Sequence, residues 1–277
     1  MSAATPYRIL DPHVHVYKKD PRYPYWRGNS SHPDDDKSPE MLIELMKKNG
    51  VAKTVIIQVR HYMFDNSFLL ATLKKYPQYF QGVCRVNPED SDAPEHLAEL
   101  TEAGCRGVRL SPAANASGDW IRGPLMKPLF KRCGELGVPM TLLAPISRMP
   151  EIGTLIDGFP DLTVVIDHMA DTPVAQPAEL EKLIALKRHP KLFVKVSHTW
   201  ALSKQQYPWM DAQEHVKRLH QAFGPQRLMW ATDWPVCLPH ATYEQTLKVV
   251  RDDMKFLNED DKMWMLSKTI ERVWPFS

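Results

Sequence analysis

The sequence predicts an α/β chain that closes into a (β/α)8 barrel, the TIM-barrel architecture, with a C-terminal helical extension, as one domain over residues 1–277. Three observations carry this. Short apolar runs rich in β-branched residues, such as Val55-Ile56-Ile57-Gln58-Val59, read as strands buried on both faces of a parallel sheet. Each run is followed by a segment with helical apolar spacing, and strands that alternate with helices pair in parallel. There are eight such units, with strand ends near 15, 60, 86, 111, 144, 168, 197 and 233, mostly 24 to 36 residues apart. That spacing suits a βα unit, and eight units suit closure into a ring. A doubly wound open sheet competes, but no glycine-rich phosphate loop follows the first strand.

The first strand runs through Arg8-Ile9-Leu10 into Asp11-Pro12-His13-Val14-His15. Period-two alternation puts Asp11, His13 and His15 on one face. Residues 18 to 37, rich in Pro, Tyr and charge, form a long loop, which after such a strand reads as a lid or pocket wall. Ser38-Pro39-Glu40 opens a helix with a cap and a first-turn proline, and Asn49-Gly50 ends it. Strand two, Val55 to Val59, precedes a helix over 66–75. Gly82 to Val86 is strand three, followed by a helix announced by Ser91-Asp92-Ala93-Pro94-Glu95. Gly107 to Ser111 is strand four, ahead of a Gly/Asn/Ser-rich loop and a helix over 124–136. Val138 to Ala144 and Leu162 to His168 are strands five and six, separated by a short helix near 152–158. A helix over 177–188 leads to strand seven, Leu192 to Ser197; a helix over 211–223 leads to strand eight, Leu228 to Asp233. A last helix covers 242–256, and the tail after Glu259, with Met263, Trp264, Leu266 and Ile270 at helical spacing, is expected to pack on the outside.

Composition narrows the function. The chain is 43% hydrophobic and 25% charged with a net charge of +2, so no field for nucleic acid or a membrane surface is implied. No run approaches eighteen apolar residues, and residues 1–6 lack a charged start followed by an apolar stretch. Cys84, Cys105, Cys133 and Cys237 form no CxxC pair and read as reduced, mostly buried thiols. A cytoplasmic protein with a small-molecule partner is expected; homo-oligomerisation is compatible with this.

A barrel keeps its chemistry at the C-terminal ends of its strands. His13 and His15 stand at the end of strand one, His168 at the end of strand six, and Asp233 at the end of strand eight. Ring closure sets strand eight beside strand one. Each residue alone has a structural explanation, as a satisfied core histidine or a turn aspartate; their joint placement favours a site. Two imidazoles and a carboxylate can hold a metal ion or polarise a carbonyl.

Taken together, Asp11 to His15, His168 and Ala231-Thr232-Asp233-Trp234-Pro235-Val236-Cys237 resemble the amidohydrolase superfamily. The nearest likeness is to its amidohydrolase-related branch (amidohydrolase 2), which holds pyrone-dicarboxylate lactonases and sugar-acid lactonases of the fuconolactone type. The segment 58–68 is similar to the first kind, and Trp234 to Cys237 to the second. The resemblance spans nearly the whole chain. The binuclear members carry a bridging Lys on strand four and a His on strand five, whereas here those strands end in Arg109-Leu110-Ser111 and Leu142-Leu143-Ala144-Pro145. The resemblance therefore implies either no required cofactor or a single divalent ion, zinc by preference, held by His13, His15 and Asp233, with His168 as a further ligand or supporting group.

Lactone hydrolysis needs a water deprotonated in place and a stabilised oxyanion. Asp233 is the expected base, with His13, His15 and His168 polarising the carbonyl. No Gly-x-Ser-x-Gly elbow suggests an acyl-enzyme. Substrate contacts are expected from Gln58, Arg60, Arg85, Arg109, Ser111, Lys195 and His198, at or near strand ends. Guanidinium groups match carboxylates, so the substrate is read as an anion; the alternative for each arginine is an internal pair with Asp11 or Asp167. His61 and His240 are further candidates for the pocket wall, while His96, His189, His215 and His220 read as surface residues. Two other functions compete: a metal-dependent non-oxidative decarboxylase of the same superfamily, and a barrel that binds a ligand without turnover.

Overall fold

A computed structural model describes residues 7–111 and 119–276. The N-terminal residues 1–6 and most of the Gly/Asn/Ser-rich loop after strand four lie outside the described residues. The strands are β1 (Ile9–Val14), β2 (Val51–Ile57), β3 (Phe80–Val83), β4 (Val108–Leu110), β5 (Met140–Leu142), β6 (Val164–Ile166), β7 (Leu192–Val196) and β8 (Leu228–Trp230). All pairings are parallel, in two arcs ordered β1-β2-β3 and β4-β5-β6-β7-β8. Two single bridges join the arcs. Cys84 pairs with Val108 at one seam, and Val14 pairs with Trp234 at the other. Arg109 N donates to Cys84 O at 2.8 Å and His15 N to Trp234 O at 2.7 Å, which completes the ring. Strand interiors are buried on both faces, as their unbroken apolar character requires: Val164, Val165 and Ile166 are all inaccessible to solvent.

The helices are α1 (Pro39–Asn49), α2 (Ser67–Lys75), α3 (Ala93–Glu102), α4 (Met126–Leu136), α5 (Met149–Asp157), α6 (Glu181–Ile184), α7 (Thr199–Leu202), α8 (Met210–Phe223), α9 (Tyr243–Lys248), α10 (Glu259–Met263) and α11 (Thr269–Val273). Helix α1 starts and stops where its residues say: Ser38 Oγ accepts from Met41 N, and Gly50 takes φ 70° as its C-cap. The helix expected over 177–188 is instead a chain of 3-10 and α turns around α6. The one expected over 242–256 is α9 followed by a π turn ending at Asp253.

The tail differs from expectation. It does not lie on the barrel's outer wall but closes the N-terminal end of the ring. Trp274 is buried, its indole donates to Arg106 O at 3.0 Å, and Gln81 Nε2 donates to Pro275 O at 2.6 Å. The apolar periodicity told that one face is buried, and the ring bottom is where the apolar surface was left open. At the opposite end the loop of residues 18–37 packs on the segment after β2: Trp26 N donates to His61 O at 2.8 Å, and Tyr62 Oη donates to Lys18 O at 3.0 Å. This loop is thus a wall of the mouth. Two expected surface histidines, His189 and His215, are buried on the outer helical layer; His215 Nε2 lies 3.4 Å from Pro173 O.

Candidate active site

The residues at the end of β1 do not alternate as a regular strand would. Pro12 has no N–H to give the ladder, and the register slips between Asp11 and Val14, which oppose Thr54 and Ile56. Asp11 is consequently diverted from the imidazoles. Its carboxylate accepts from Thr232 Oγ1 at 2.6 Å, Tyr243 Oη at 3.1 Å and the amides of His13 and Thr232 at 3.2 Å. Burial nevertheless pushes its carboxyl up to about 6. Thr232 Oγ1 in turn receives Trp234 N at 3.1 Å, so Asp11 braces the end of β8.

That end carries Asp233, which is buried and sits in the left-handed region at φ 54°. Its Oδ1 lies 3.4 Å from His13 Nε2 and 3.2 Å from His15 Nε2, and these two nitrogens are 3.3 Å apart. Asp233 Oδ2 is 2.7 Å from His198 Nε2 and 3.9 Å from His168 Nε2. The four residues expected at the ends of strands one, six and eight therefore meet at one place. His198 joins them as a fifth, in contact with the carboxylate itself. Its sequence signal was its position directly after strand seven; only the bond to Asp233 distinguishes it from a pocket-wall histidine.

Each ring is held from behind. His15 Nδ1 is 2.7 Å from Ile57 O, His168 Nδ1 is 2.7 Å from Ser197 Oγ, and His198 Nδ1 is 2.7 Å from Asp171 Oδ1. His13 Nδ1 lies 3.3 Å from Asp167 Oδ1 and 3.1 Å from Lys195 Nζ. The His168 and His198 rings stack with centroids 3.6 Å apart. This arrangement uses backbone conformations that side-chain-bearing residues rarely adopt. His168, Met169, Ala170 and Asp171 all have φ between 47° and 54°, a left-handed turn without glycine. Each such residue costs about 1 kcal/mol or more, strain that a fold tolerates where geometry is functional.

The electrostatics follow from burial. His13 falls to about 3 because burial and the neighbouring Lys195 charge disfavour its cation. His168 is also driven well below the usual imidazole range, by burial and then by His198. Burial works against the Asp233 carboxylate, yet the surrounding His13, His15, His168 and His198 outweigh it and keep the group ionised. Burial likewise opposes the His198 cation, but its bonds to Asp171 and Asp233 prevail and raise it to about 9.

The donor set fits a single metal ion. Zinc bonds of about 2.0–2.1 Å to nitrogen or oxygen give a tetrahedron with edges of about 3.3 Å, which is the spacing among His13 Nε2, His15 Nε2 and Asp233 Oδ1. Asp233 Oδ1 is buried and has no hydrogen-bond partner among the described residues. One ligand atom each from His13, His168 and Asp233 also lies within 4.8 Å of the others.

The expected substrate residues divide. Arg109 is taken by the alternative weighed for it: its Nε donates to Asp167 Oδ2 at 3.0 Å, leaving its two terminal amino groups without a carboxylate partner among the described residues. Lys195 is corrected from a substrate contact to an internal one. It is wholly buried, its Nζ 3.1 Å from both Asp167 Oδ1 and His13 Nδ1 and 5.2 Å from the Trp274 ring, so its charge is spent inside the barrel. Gln58 is buried and its amide donates to Asp65 O, tying the loop after β2. Ser111 is buried at the end of β4, and Arg60 is exposed on the loop after β2. Arg85 is 3% exposed and has no carboxylate partner among the described residues. Burial, with Arg109 and Arg60 nearby, lowers it to about 9. It lies 6.0 Å from the Phe64 ring and lines a cavity of about 540 Å³ between α2 and α3 with Asn66, Asn87 and His96, a cavity whose lining includes none of the clustered imidazoles. Sequence reasoning did not assign Asp167, Asp171 or Ser197 a place in the site; each reaches it only through another side chain.

A family model described as Amidohydrolase matches residues 10–276. Among curated proteins, an L-fucono-1,5-lactonase of Burkholderia ambifaria is 26% identical over 232 residues, covering 82% of this chain and 80% of that protein. A 2-pyrone-4,6-dicarboxylate hydrolase of Comamonas testosteroni is 27% identical over 242 residues, covering 83% of this chain and 77% of that protein. Among solved structures, an amidohydrolase from Burkholderia multivorans with bound zinc superposes with a TM-score of 0.80 at 20% identity, over 98% of this chain and all of that one. Among the described residues no helix is long and apolar enough to cross a membrane.

Proposed function

This chain belongs to the amidohydrolase family, and from that premise we propose that it hydrolyses a lactone of a carboxylated or sugar-acid substrate. The observation that carries the reading is Asp233: a buried, ionised carboxylate with one oxygen fixed by His198 and the other facing the Nε2 atoms of His13 and His15. A carboxylate so held takes the proton of a water molecule as that water attacks the lactone carbonyl carbon. His13 and His168, neutral through burial, keep their lone pairs for a ligand or their N–H for the carbonyl oxygen. The ring C–O bond then breaks, the proton passes from Asp233 to the departing oxygen, and one lactone plus one water gives one hydroxy acid.

His13, His15 and Asp233 would hold a divalent ion, with His168 beside them. Bound there, such an ion supplies Lewis-acid polarisation of the carbonyl. The chain's own part is to hold the three donors at a fixed spacing: Ile57 O braces His15, and Asp167 braces His13. The guanidinium groups of Arg85 and Arg109, whose terminal amino groups have no carboxylate partner among the described residues, suit a substrate carboxylate. A guanidinium buried without a partner is costly, and an incoming anion removes that cost.

The test is a panel of carboxylated planar lactones and sugar-acid lactones, followed by acid release. Wild type should open at least one, and Asp233→Asn should not. Metal content and activity after chelation and re-addition of zinc would show whether the ion is needed. Turnover unchanged in Asp233→Asn would refute the assignment of the base.

A further inference from the structure

Eight non-glycine residues among those described have left-handed backbone conformations. Six of them are 168 to 171, His198 and Asp233, and of these His168, Asp171 and Asp233 meet at one imidazole, that of His198. Strain of this kind is not scattered over the fold but collected around one ring, which calls for a reason. The turn grips the ring twice. Its first residue, His168, stacks on the face of His198 at 3.6 Å, and its last, Asp171, lies 2.7 Å from the Nδ1 edge. The opposite edge, Nε2, is 2.7 Å from Asp233 Oδ2. Both partners are carboxylates, which only accept, so His198 donates from both ring nitrogens. Asp171 has a side chain 42% exposed, too open to be explained by burial of the turn.

We propose that Asp171 is a positioning residue of the active site. It locks the His198 ring, and His198 in turn locks the Asp233 carboxylate so that Oδ1 alone faces His13 and His15. Without the bond to Asp171 only the His168 stack and the Asp233 bond restrain the imidazole about its broad χ2 torsion, and the donor to Asp233 Oδ2 is less firmly fixed. This rests on the reading of Asp233 as the base, and the experiment below separates the two.

Two substitutions distinguish positioning from mere support of the turn. Asp171→Gly removes the carboxylate while accepting a φ of 47° without strain. Asp171→Asn keeps an acceptor oxygen and also tolerates that conformation. Protein labelled with ¹⁵N-histidine is examined by long-range ¹H–¹⁵N spectra, with His198→Gln to assign the ring. Wild type and Asp171→Asn should show slowly exchanging protons on both His198 nitrogens, and Asp171→Gly should lose the Nδ1 proton. On a lactone that wild type opens, Asp171→Gly should lower kcat by about 10–100-fold with little change in KM and a Tm equal to or above wild type. Asp171→Asn should retain much more of kcat. A Gly variant with the wild-type ring spectrum and kcat overturns the proposal. So does equal loss in the Gly and Asn variants. If wild type opens no lactone, the proposed function fails, and the ring spectra still decide the role of Asp171.

Discussion

The carboxylate of Asp167 lies against two buried cations, and replacing it by Asn tests how much of the barrel interior rests on that charge. Lys195 Nζ is 3.1 Å from Oδ1 and Arg109 Nε is 3.0 Å from Oδ2, with the Lys195 and Asp167 side chains fully buried. At an effective dielectric of about 20, a pair at this separation interacts by about 5 kcal/mol. Measured costs of leaving one partner of a buried pair uncompensated are smaller, about 3–5 kcal/mol, because structure and protonation relax. Asp167→Asn should therefore destabilise by about 3–5 kcal/mol, which for a chain of this size lowers Tm by about 6–15 °C. Removing Lys195 as well, in Asp167→Asn/Lys195→Met, should restore part of that, since the stranded ammonium is gone. A double-mutant cycle by urea denaturation, with m held common, should give a coupling energy of about 2 kcal/mol or more. Effects that add to within about 0.5 kcal/mol would refute the argument, because two independent sites behave that way.

Three other perturbations have defined outcomes. Asp233→Asn should lower kcat by about 10²–10⁴-fold in a stopped lactonase assay, the range for loss of a general base, and should weaken zinc binding measured by competition with a chromogenic chelator. Arg85→Met should raise KM for a carboxylated lactone by about tenfold or more, the worth of a charge-assisted bond, while raising Tm, because a guanidinium buried without a carboxylate is removed. Loss of Tm with unchanged KM would place Arg85 among purely structural residues. His61 is lowered to about 4, chiefly by burial, then by Arg60. The unfolded chain thus binds more protons between about pH 4 and 6.5, so stability conferred by neutral His61 is present above pH 6.5 and is lost as pH falls through that window. With its partial exposure the effect should be about 1–2 kcal/mol, and His61→Phe should flatten the fall in urea midpoint between pH 7 and pH 5.

Much of the fold could be read from the chain because its signals are local. β-branched runs such as Leu162 to Ile166, the cap at Ser38 and the stop at Gly50 act over a few residues, and each acted as expected. The placing of His13, His15, His168 and Asp233 at strand ends was equally legible, since strand direction alone decides which end of a barrel a residue occupies. What the sequence left open depends on distant pairings and on backbone conformations that propensity argues against. Period two put Asp11 with the histidines, but the missing N–H of Pro12 slipped the register and sent it to Thr232 and Tyr243. Nothing in His168-Met169-Ala170-Asp171 announces a left-handed turn, because none of the four is glycine; the closed ring imposes it and so brings Asp171 to His198. Whether Arg109, Arg85 and Lys195 face a substrate or a buried carboxylate was likewise a question of where Asp167 lies, 58 residues from Arg109 in the chain and 3.0 Å from it in space. The local chemistry of the chain determined the strands and the groups at their ends; the closing of the ring decided which of those groups touch, since contacts across a barrel are set by register and shear rather than by neighbours in sequence.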